Sequence, residues 1–119
     1  MVETDTLLLC RVEDLPEGTA RGFDPTRSGR DTMFVVRHGG AVVAYLDACP
    51  HYGSTPMAWR KDAYLKADGT KIVCSAHGAE FEIATGECTL GACLGQSLTV
   101  VPVALQDDGE IRLLYPFGG

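Results

Sequence analysis

The stretch DACPHYGSTPMAW, residues 47–59, places a cysteine and a histidine one residue apart among turn-forming residues. Cys49 and His51 are both residues that bind metals, Pro50 lies between them, and Gly53 follows. Taken alone, this pair is also consistent with a buried thiol beside an ordinary surface histidine. A metal site therefore requires a second pair of ligands elsewhere in the chain.

The stretch CSAHG, residues 74–78, supplies a second pair. Cys74 and His77 are separated by two residues, and residues 52–73 lie between the two pairs. Structural zinc sites usually carry two like ligands on each arm, whereas each arm here carries one sulfur and one nitrogen. A [2Fe–2S] centre with two cysteines on one iron and two histidines on the other requires this mixed arrangement.

The remainder of the chain predicts an all-β fold. Short segments rich in β-branched and aromatic residues are bounded by turn signals at 6–12, 32–38, 41–47, 70–75, 97–105 and 110–115. The sequences HGG (38–40) and DDG (107–109) predict tight hairpin turns. Residues 55–62 are the one helical candidate, and it is weak. The 14 glycines and six prolines are typical of a turn-rich β domain.

Composition limits the class of protein. A chain of 119 residues, 45% hydrophobic and 22% charged, predicts a single globular domain spanning 1–119. A net charge of −6 argues against nucleic-acid binding, which needs clustered Lys and Arg. The acidic start MVETDTLLLC is unlike a signal peptide, and no apolar run approaches the roughly 20 residues of a membrane span. We therefore expect a cytoplasmic protein that contacts neither nucleic acid nor membrane.

The two arms resemble those of Rieske iron–sulfur proteins. The resemblance is carried by Cys49-Pro-His51-x-Gly53 and Cys74-Ser-Ala-His77-Gly78, and is supported by residues 9–23 and 79–103. It implies a Rieske fold of antiparallel sheets, with a base (1–46 and 84–119) and a small cluster-binding subdomain (about 47–83). It also implies one [2Fe–2S] cluster per chain, with Cys49 and Cys74 on the inner iron and His51 and His77 on the outer iron.

Three departures indicate the soluble, low-potential ferredoxin branch of the family. The linker between the arms is long, and RKDAYLKADGTK (60–71) is expected to form an extra hairpin or loop. Ser54 and Ser75 stand where high-potential relatives have a disulfide over the cluster. Ala79 and Phe81 stand where those relatives place a serine and a tyrosine near the cluster sulfurs.

The resemblance implies a one-electron carrier that takes electrons from a reductase and passes them to a terminal oxygenase, such as a ring-hydroxylating dioxygenase. Such a chain performs no bond chemistry and is not itself an enzyme. One alternative is the small subunit of an NADH-dependent nitrite reductase, which shares the fold. Another is a zinc-stabilised binding module that uses the same two cysteines and two histidines.

The other reactive side chains have ordinary interpretations beside sharper ones. Cys10 lies in an apolar strand and is expected in the core, and His38 is interpreted as a turn residue. Cys88 and Cys93 are either two reduced thiols packed under the cluster subdomain or a redox-sensitive pair. The acidic residues of 80–87 either steer a basic partner or form a solvated face; they are Glu80, Glu82 and Glu87.

Overall fold

The computed structural model describes residues 6–25, 27, 29, 31–47, 64–66, 69–74, 79–91 and 94–114. These residues form nine β-strands and one short 3₁₀ helix, so the all-β prediction is confirmed. The strands are β1 (Thr6–Arg11), β2 (Thr19–Phe23), β3 (Met33–His38), β4 (Ala41–Leu46), β5 (Ile72–Cys74), β6 (Ala79–Phe81), β7 (Cys88–Leu90), β8 (Val103–Leu105) and β9 (Glu110–Leu114); the 3₁₀ helix is Val12–Asp14.

The strands pair into three antiparallel sheets. Their orders are β1-β9-β8, β2-β3-β4 and β5-β6-β7, named here the first, middle and third sheets. Strand β3 is buried on both faces over residues 33–36. Because successive side chains of a strand point to opposite faces, Met33 and Val35 pack with the first sheet, whereas Phe34 and Val36 pack with the third. The middle sheet therefore separates two hydrophobic cores.

The turn between β3 and β4 is the tight hairpin that HGG predicted. Gly39 and Gly40 both have positive φ, 63° and 80°, as a type I′ turn requires. The Glu17 carboxylate accepts hydrogen bonds from the N–H groups of Gly39 (2.6 Å) and Gly40 (3.0 Å). Both bonds lower the pKa of the Glu17 carboxyl, and the bond from Gly40 has the larger effect. His38 is exposed at the end of β3, as expected of a residue beside a turn.

The prediction of one strand over 97–105 was wrong for its first six residues. Only Val103–Leu105 form a strand, and they pair with β9. Residues 97–98 pair with residues 86–87, and residues 99–101 pair with β4, where Thr99 O accepts a hydrogen bond and the Val101 N–H donates one, each at 2.9 Å. Pro102 lies between the pairing with β4 and the pairing with β9. Because it has no N–H to donate, the chain changes partner at that residue.

Three strands were not predicted. Strand β2 is interrupted by arginine and glycine, and β6 and β7 have three residues each, too few to show a hydrophobic period. The helical candidate 55–62 lies outside the described residues. The division into a base and a cluster-binding subdomain stays a prediction. Strand β7 of the third sheet (Cys88–Leu90) lies on the base side of the predicted boundary at residue 83. In the described part of the chain, no helix is long and apolar enough to cross a membrane.

Tyr45 connects the middle sheet to the third. Its ring is buried, and its hydroxyl donates to Ile83 O at 2.7 Å, so the ring has little freedom to move. This burial raises the pKa of the Tyr45 hydroxyl. Gly86 lies against this ring, because a Cβ at residue 86 would come within 2.7 Å of Tyr45 Cε1. Its φ of 76° also belongs to the left-handed region that favours glycine.

We predict that Gly86→Ala destabilises the protein more than Gly18→Ala. Gly18 has nearly the same φ, 79°, but nothing lies within 4 Å of its Cβ position. Both variants bear a backbone cost of about 1 kcal/mol, and Gly86→Ala adds an overpacking cost of about 2 kcal/mol. Urea unfolding measures both values. Equal losses in the two variants would show that the contact with Tyr45 carries no energetic weight.

Candidate metal centre

Cys74 ends strand β5 and is fully buried. It lies directly opposite Ala79, the first residue of β6, and residues 75–78 connect the two strands. His77 belongs to that connection in the sequence, so the second pair of predicted ligands begins at the last residue of β5. Of the four predicted ligands, the structure describes Cys74; Cys49, His51 and His77 lie outside the described residues.

Two of the described residues near Cys74 are small. Directly opposed residues of an antiparallel pair project to the same face, so the Ala79 methyl and the Cys74 thiol share one side of the sheet, with Cβ atoms about 5 Å apart. Gly91 approaches the same strand end, since a Cβ there would lie 2.9 Å from Ala79 Cα. With its φ of 105°, Gly91 allows the chain after β7 to pass close to this corner.

Asp47 lies just before the first ligand pair, and Val73 just before the second. These two residues are called here the roots of the first and second arms, and the first root is hydrogen-bonded beside the middle sheet. Strand β4 ends at Leu46, and the Asp47 N–H donates to Thr32 O at 2.9 Å. Cys49 follows Asp47 by two residues in the sequence. The Tyr64 hydroxyl donates to Asp47 Oδ2 at 2.9 Å. Sequence reasoning missed this contact, because nothing in the local pattern marks Tyr64 as a partner of the first arm.

The predicted extra hairpin in the linker is present. Leu65 and Ile72 form an antiparallel bridge, and the Lys66 N–H donates to Lys71 O at 2.9 Å. Gly69 completes the turn, with a φ of 73° and its N–H donating to Lys66 O at 2.8 Å. This hairpin places residues 64–66 alongside β5, immediately before Cys74.

The hairpin also neutralises part of the acidic run. Lys66 Nζ lies 3.4 Å from Glu80 Oε2, and Lys71 Nζ pairs with Glu82 Oε2. All four side chains are partly exposed, so each pair contributes at most about 1 kcal/mol. Two of the three acidic residues therefore have cationic partners on the same face. This arrangement favours the interpretation as a solvated, ion-paired face over a bare acidic steering surface.

The remaining cysteines fit structural roles where they are described. Cys10 is buried in the core between the first and middle sheets, and this burial raises the pKa of its thiol. Cys88 is a buried free thiol whose Sγ lies 3.4 Å from Leu90 O. It pairs with Phe81, two residues and about 7 Å further along β6 than Ala79. The burial of Cys88 agrees with its interpretation as a packed thiol, and its redox state stays a prediction because Cys93 lies outside the described residues.

The geometry and the paired motifs agree with one family. Residues 5–111 match the Rieske [2Fe-2S] domain. The chain belongs to the Rieske family. The resemblance drawn from the two arms is thereby confirmed, and membership implies one [2Fe–2S] cluster per Rieske chain.

Two proteins that this Rieske chain resembles are ferredoxins. It is 30% identical over 79 residues to the ferredoxin component of the alkene monooxygenase system of Xanthobacter autotrophicus, a match covering 66% of this chain and 58% of that protein. It is 26% identical to the Sphingomonas yanoikuyae B1 ferredoxin, covering 94% of this chain and 100% of the other, with a TM-score of 0.71.

Two further solved structures bear on the alternatives. A chain from the complex of reduced oxygenase and oxidised ferredoxin in carbazole 1,9a-dioxygenase is 27% identical, with 96% of each chain covered and a TM-score of 0.71. A nitrite reductase small subunit from Mycobacterium tuberculosis, described as putative and NADH-dependent, is 16% identical, with 97% and 98% covered and a TM-score of 0.67. The second likeness shows a shared fold alone.

We predict that Cys88→Ser keeps the iron content near the two atoms of a [2Fe–2S] cluster, whereas Cys74→Ser loses it. Cys88 pairs with Phe81, which lies two residues further along β6 than Ala79, the partner of Cys74. Cys93→Ser should likewise retain iron. Colorimetric iron analysis of the purified variants measures the content. Loss of iron in Cys88→Ser, with Cys74→Ser still loaded, would reverse the assignment of the two buried cysteines.

Proposed function

We propose that this Rieske chain is a one-electron carrier, a ferredoxin whose cluster is held by Cys49 and Cys74 on one iron and by His51 and His77 on the other. The observation that carries the proposal is the placement of Cys74. Its side chain is fully buried at the end of β5, directly before the four-residue connection that contains His77. The donor set of two thiols and two imidazoles is the set that a Rieske cluster takes.

The described residues fit such a group. Two small residues, Ala79 and Gly91, lie at the corner where β5 ends at Cys74. The Tyr64 hydroxyl donates to the Asp47 carboxylate, and the Tyr64 carbonyl accepts from the Val73 N–H. The roots of both arms therefore bond to the same residue. Two residues of extended chain span at most about 7 Å, which limits how far Cys49 can lie from Asp47. These contacts support one centre shared by the two arms.

The bound cluster would supply reversible one-electron chemistry. The chain determines how readily that electron is taken up. Two thiolates contribute two negative charges, and neutral imidazoles contribute none, whereas four cysteines would contribute four. The smaller negative charge favours reduction and places Rieske potentials in the range of about −150 to +300 mV. Ala79 and Phe81 offer no hydroxyl to the cluster, which places this chain near the lower end of that range.

The proposed partners are a reductase and a terminal oxygenase. The support is the similarity to ferredoxin components of an alkene monooxygenase system and of carbazole 1,9a-dioxygenase. We place the carrier in the cytoplasm, because Cys10 and Cys88 are both unlinked thiols, as a reducing compartment favours. The carrier performs no bond chemistry by itself and therefore acts as a component of a larger oxidoreductase system.

Analysis of the purified protein tests this function directly. We expect about two irons and two inorganic sulfides per chain and absorption bands in the visible. A colourless protein with one zinc would favour the binding module instead. The dithionite-reduced protein should then pass one electron to an oxygenase component. Transfer to a nitrite reductase large subunit, but to no oxygenase, would favour the alternative that the shared fold leaves in place.

Replacing either proposed histidine ligand should change the cluster. His51→Cys and His77→Cys exchange a neutral ligand for an anionic one, so we predict a sharply lower reduction potential or loss of the cluster. His38→Ala is the control, because His38 is the third histidine and lies exposed at the β3–β4 turn. Voltammetry and visible spectra measure the outcome. Intact centres with unchanged potential in both Cys variants would contradict the ligand assignment.

We predict that Ala79→Ser raises the reduction potential by roughly 40 mV. Reduction adds one negative charge, and a hydroxyl on the same face as Cys74 would stabilise the more negative state by about 1 kcal/mol more than the oxidised state. For one electron, about 1.4 kcal/mol corresponds to about 59 mV. Ala44→Ser is the matched control, a buried alanine in the other core. A lower or unchanged potential in Ala79→Ser, with the cluster intact, would show that residue 79 does not face the sulfides.

A further inference from the structure

Tyr64 makes contacts with three separate parts of the fold. It is only 1% exposed, although it lies in the linker between the arms. Its hydroxyl donates to Asp47 Oδ2 and its carbonyl accepts from the Val73 N–H, both at 2.9 Å. Its ring stacks on Phe34 of β3, with centroids 4.2 Å apart and planes 11° from parallel. One linker residue thus contacts the base and the roots of both arms.

The position of the Tyr64 hydroxyl is fixed by the middle sheet. A Cβ at Gly22 would lie 2.7 Å from the Tyr64 hydroxyl oxygen and 2.4 Å from Asp31 Oδ2. Gly22 has no left-handed φ, so this glycine is required by space and not by backbone conformation. The backbone of strand β2 at Gly22 therefore packs closely against the Tyr64 hydroxyl. The tyrosine cannot shift toward the sheet and remains directed at Asp47.

The Asp47 carboxylate is held from a second direction by its own backbone. Its N–H donates to Thr32 O at 2.9 Å while its side chain accepts from Tyr64, 17 residues along the chain. Closing a loop of that length has an entropic cost of a few kcal/mol. The bond between Tyr64 and Asp47 closes this loop in the folded chain. The first arm therefore starts from a fixed point two residues before Cys49.

We propose that Tyr64 is a positioning residue for the cluster, which holds the first arm through Asp47 and the second through Val73. This inference rests on the proposed function, because it requires Cys49 and Cys74 to be ligands. Tyr64 bonds to the residue two positions before Cys49 and to the residue immediately before Cys74. A fixed pair of arm roots slows cluster loss, because both thiolates stay close after one metal–ligand bond has opened.

The test compares two buried tyrosines. Tyr64→Phe removes the hydroxyl on Asp47 and keeps the ring stacked on Phe34. Tyr45→Phe is the matched control, because its buried hydroxyl bonds to Ile83 O at 2.7 Å and touches neither arm root. Each purified, iron-loaded variant is mixed with excess iron chelator, and the rate of iron release is followed at fixed pH. Urea unfolding and the electron paramagnetic resonance spectrum of the reduced protein are recorded in parallel.

We expect Tyr64→Phe to release iron about tenfold faster, which corresponds to one hydrogen bond to a charged acceptor, with a broadened resonance spectrum. Tyr45→Phe should lose comparable unfolding free energy while its iron release stays within about twofold of the unsubstituted protein. Asp47→Ala should also release iron faster, and the double variant should add less than the sum of the two single effects, since both substitutions remove the Tyr64–Asp47 bond. Asp47→Asn retains an acceptor and should restore most of the retention.

Equal iron release in Tyr64→Phe and Tyr45→Phe would overturn the inference and leave Tyr64 as an ordinary core residue. If Tyr64→Phe does not fold, the Asp47 pair carries the same test. Faster release in Asp47→Ala than in Asp47→Asn then supports the inference, and equal release overturns it. An unsubstituted protein that contains zinc and no iron would instead overturn the proposed function, so the two failures are distinguishable.

Discussion

The double-sided burial of strand β3 is the constraint on which the other layers depend. Residues 33–36 are all fully buried, and they alternate between two cores. A strand covered on both faces must be apolar at every position, since no side chain of either face reaches water. The burial of both faces of β3 therefore places the middle sheet between the two cores. The first sheet packs on one side of it, and the third sheet, which carries Cys74, packs on the other.

The third sheet depends on the middle sheet for its order. Its strands have three residues each, and a sheet that small is not stable without a packed face. The face is supplied by a row of aromatic rings, in which Phe34 stacks on Tyr64 at 4.2 Å and lies 6.0 Å from Tyr45. Tyr45 bonds to the turn after β6, and Tyr64 bonds to the strand before Cys74. The order of the third sheet, which carries Cys74, therefore depends on its packing against the middle sheet.

The sequence contained much of this where patterns are local. The apolar runs predicted β1, β3, β4 and β9, and Gly39-Gly40 predicted the β3–β4 turn, because each signal lies within a few neighbouring residues. The spacing of two cysteines and two histidines identified the family and proposes the ligands. Burial of Cys10 followed from its place in an apolar strand.

Other features depend on tertiary contacts that no local pattern encodes. The change of partner at Pro102 requires knowing that β4 and β9 both border the segment. Strands β6 and β7 exist because they close a small sheet over Phe34 and Tyr45, not because three residues have a strong preference. The contact between Tyr64 and Asp47 joins residues 17 apart across a long linker. The pairing of Lys66 with Glu80 likewise appears only once the linker hairpin lies beside β6.

The mixed ligand set is the central claim, and nitrogen coupling to the reduced cluster tests it most directly. The protein is produced with ¹⁵N-labelled histidine, reduced with dithionite and measured by pulsed electron paramagnetic resonance. Ligation by His51 and His77 gives two coupled histidine nitrogens, and one of them disappears when either residue is replaced. A cluster signal without histidine coupling, or a protein with no paramagnetic reduced state, would contradict the proposed centre.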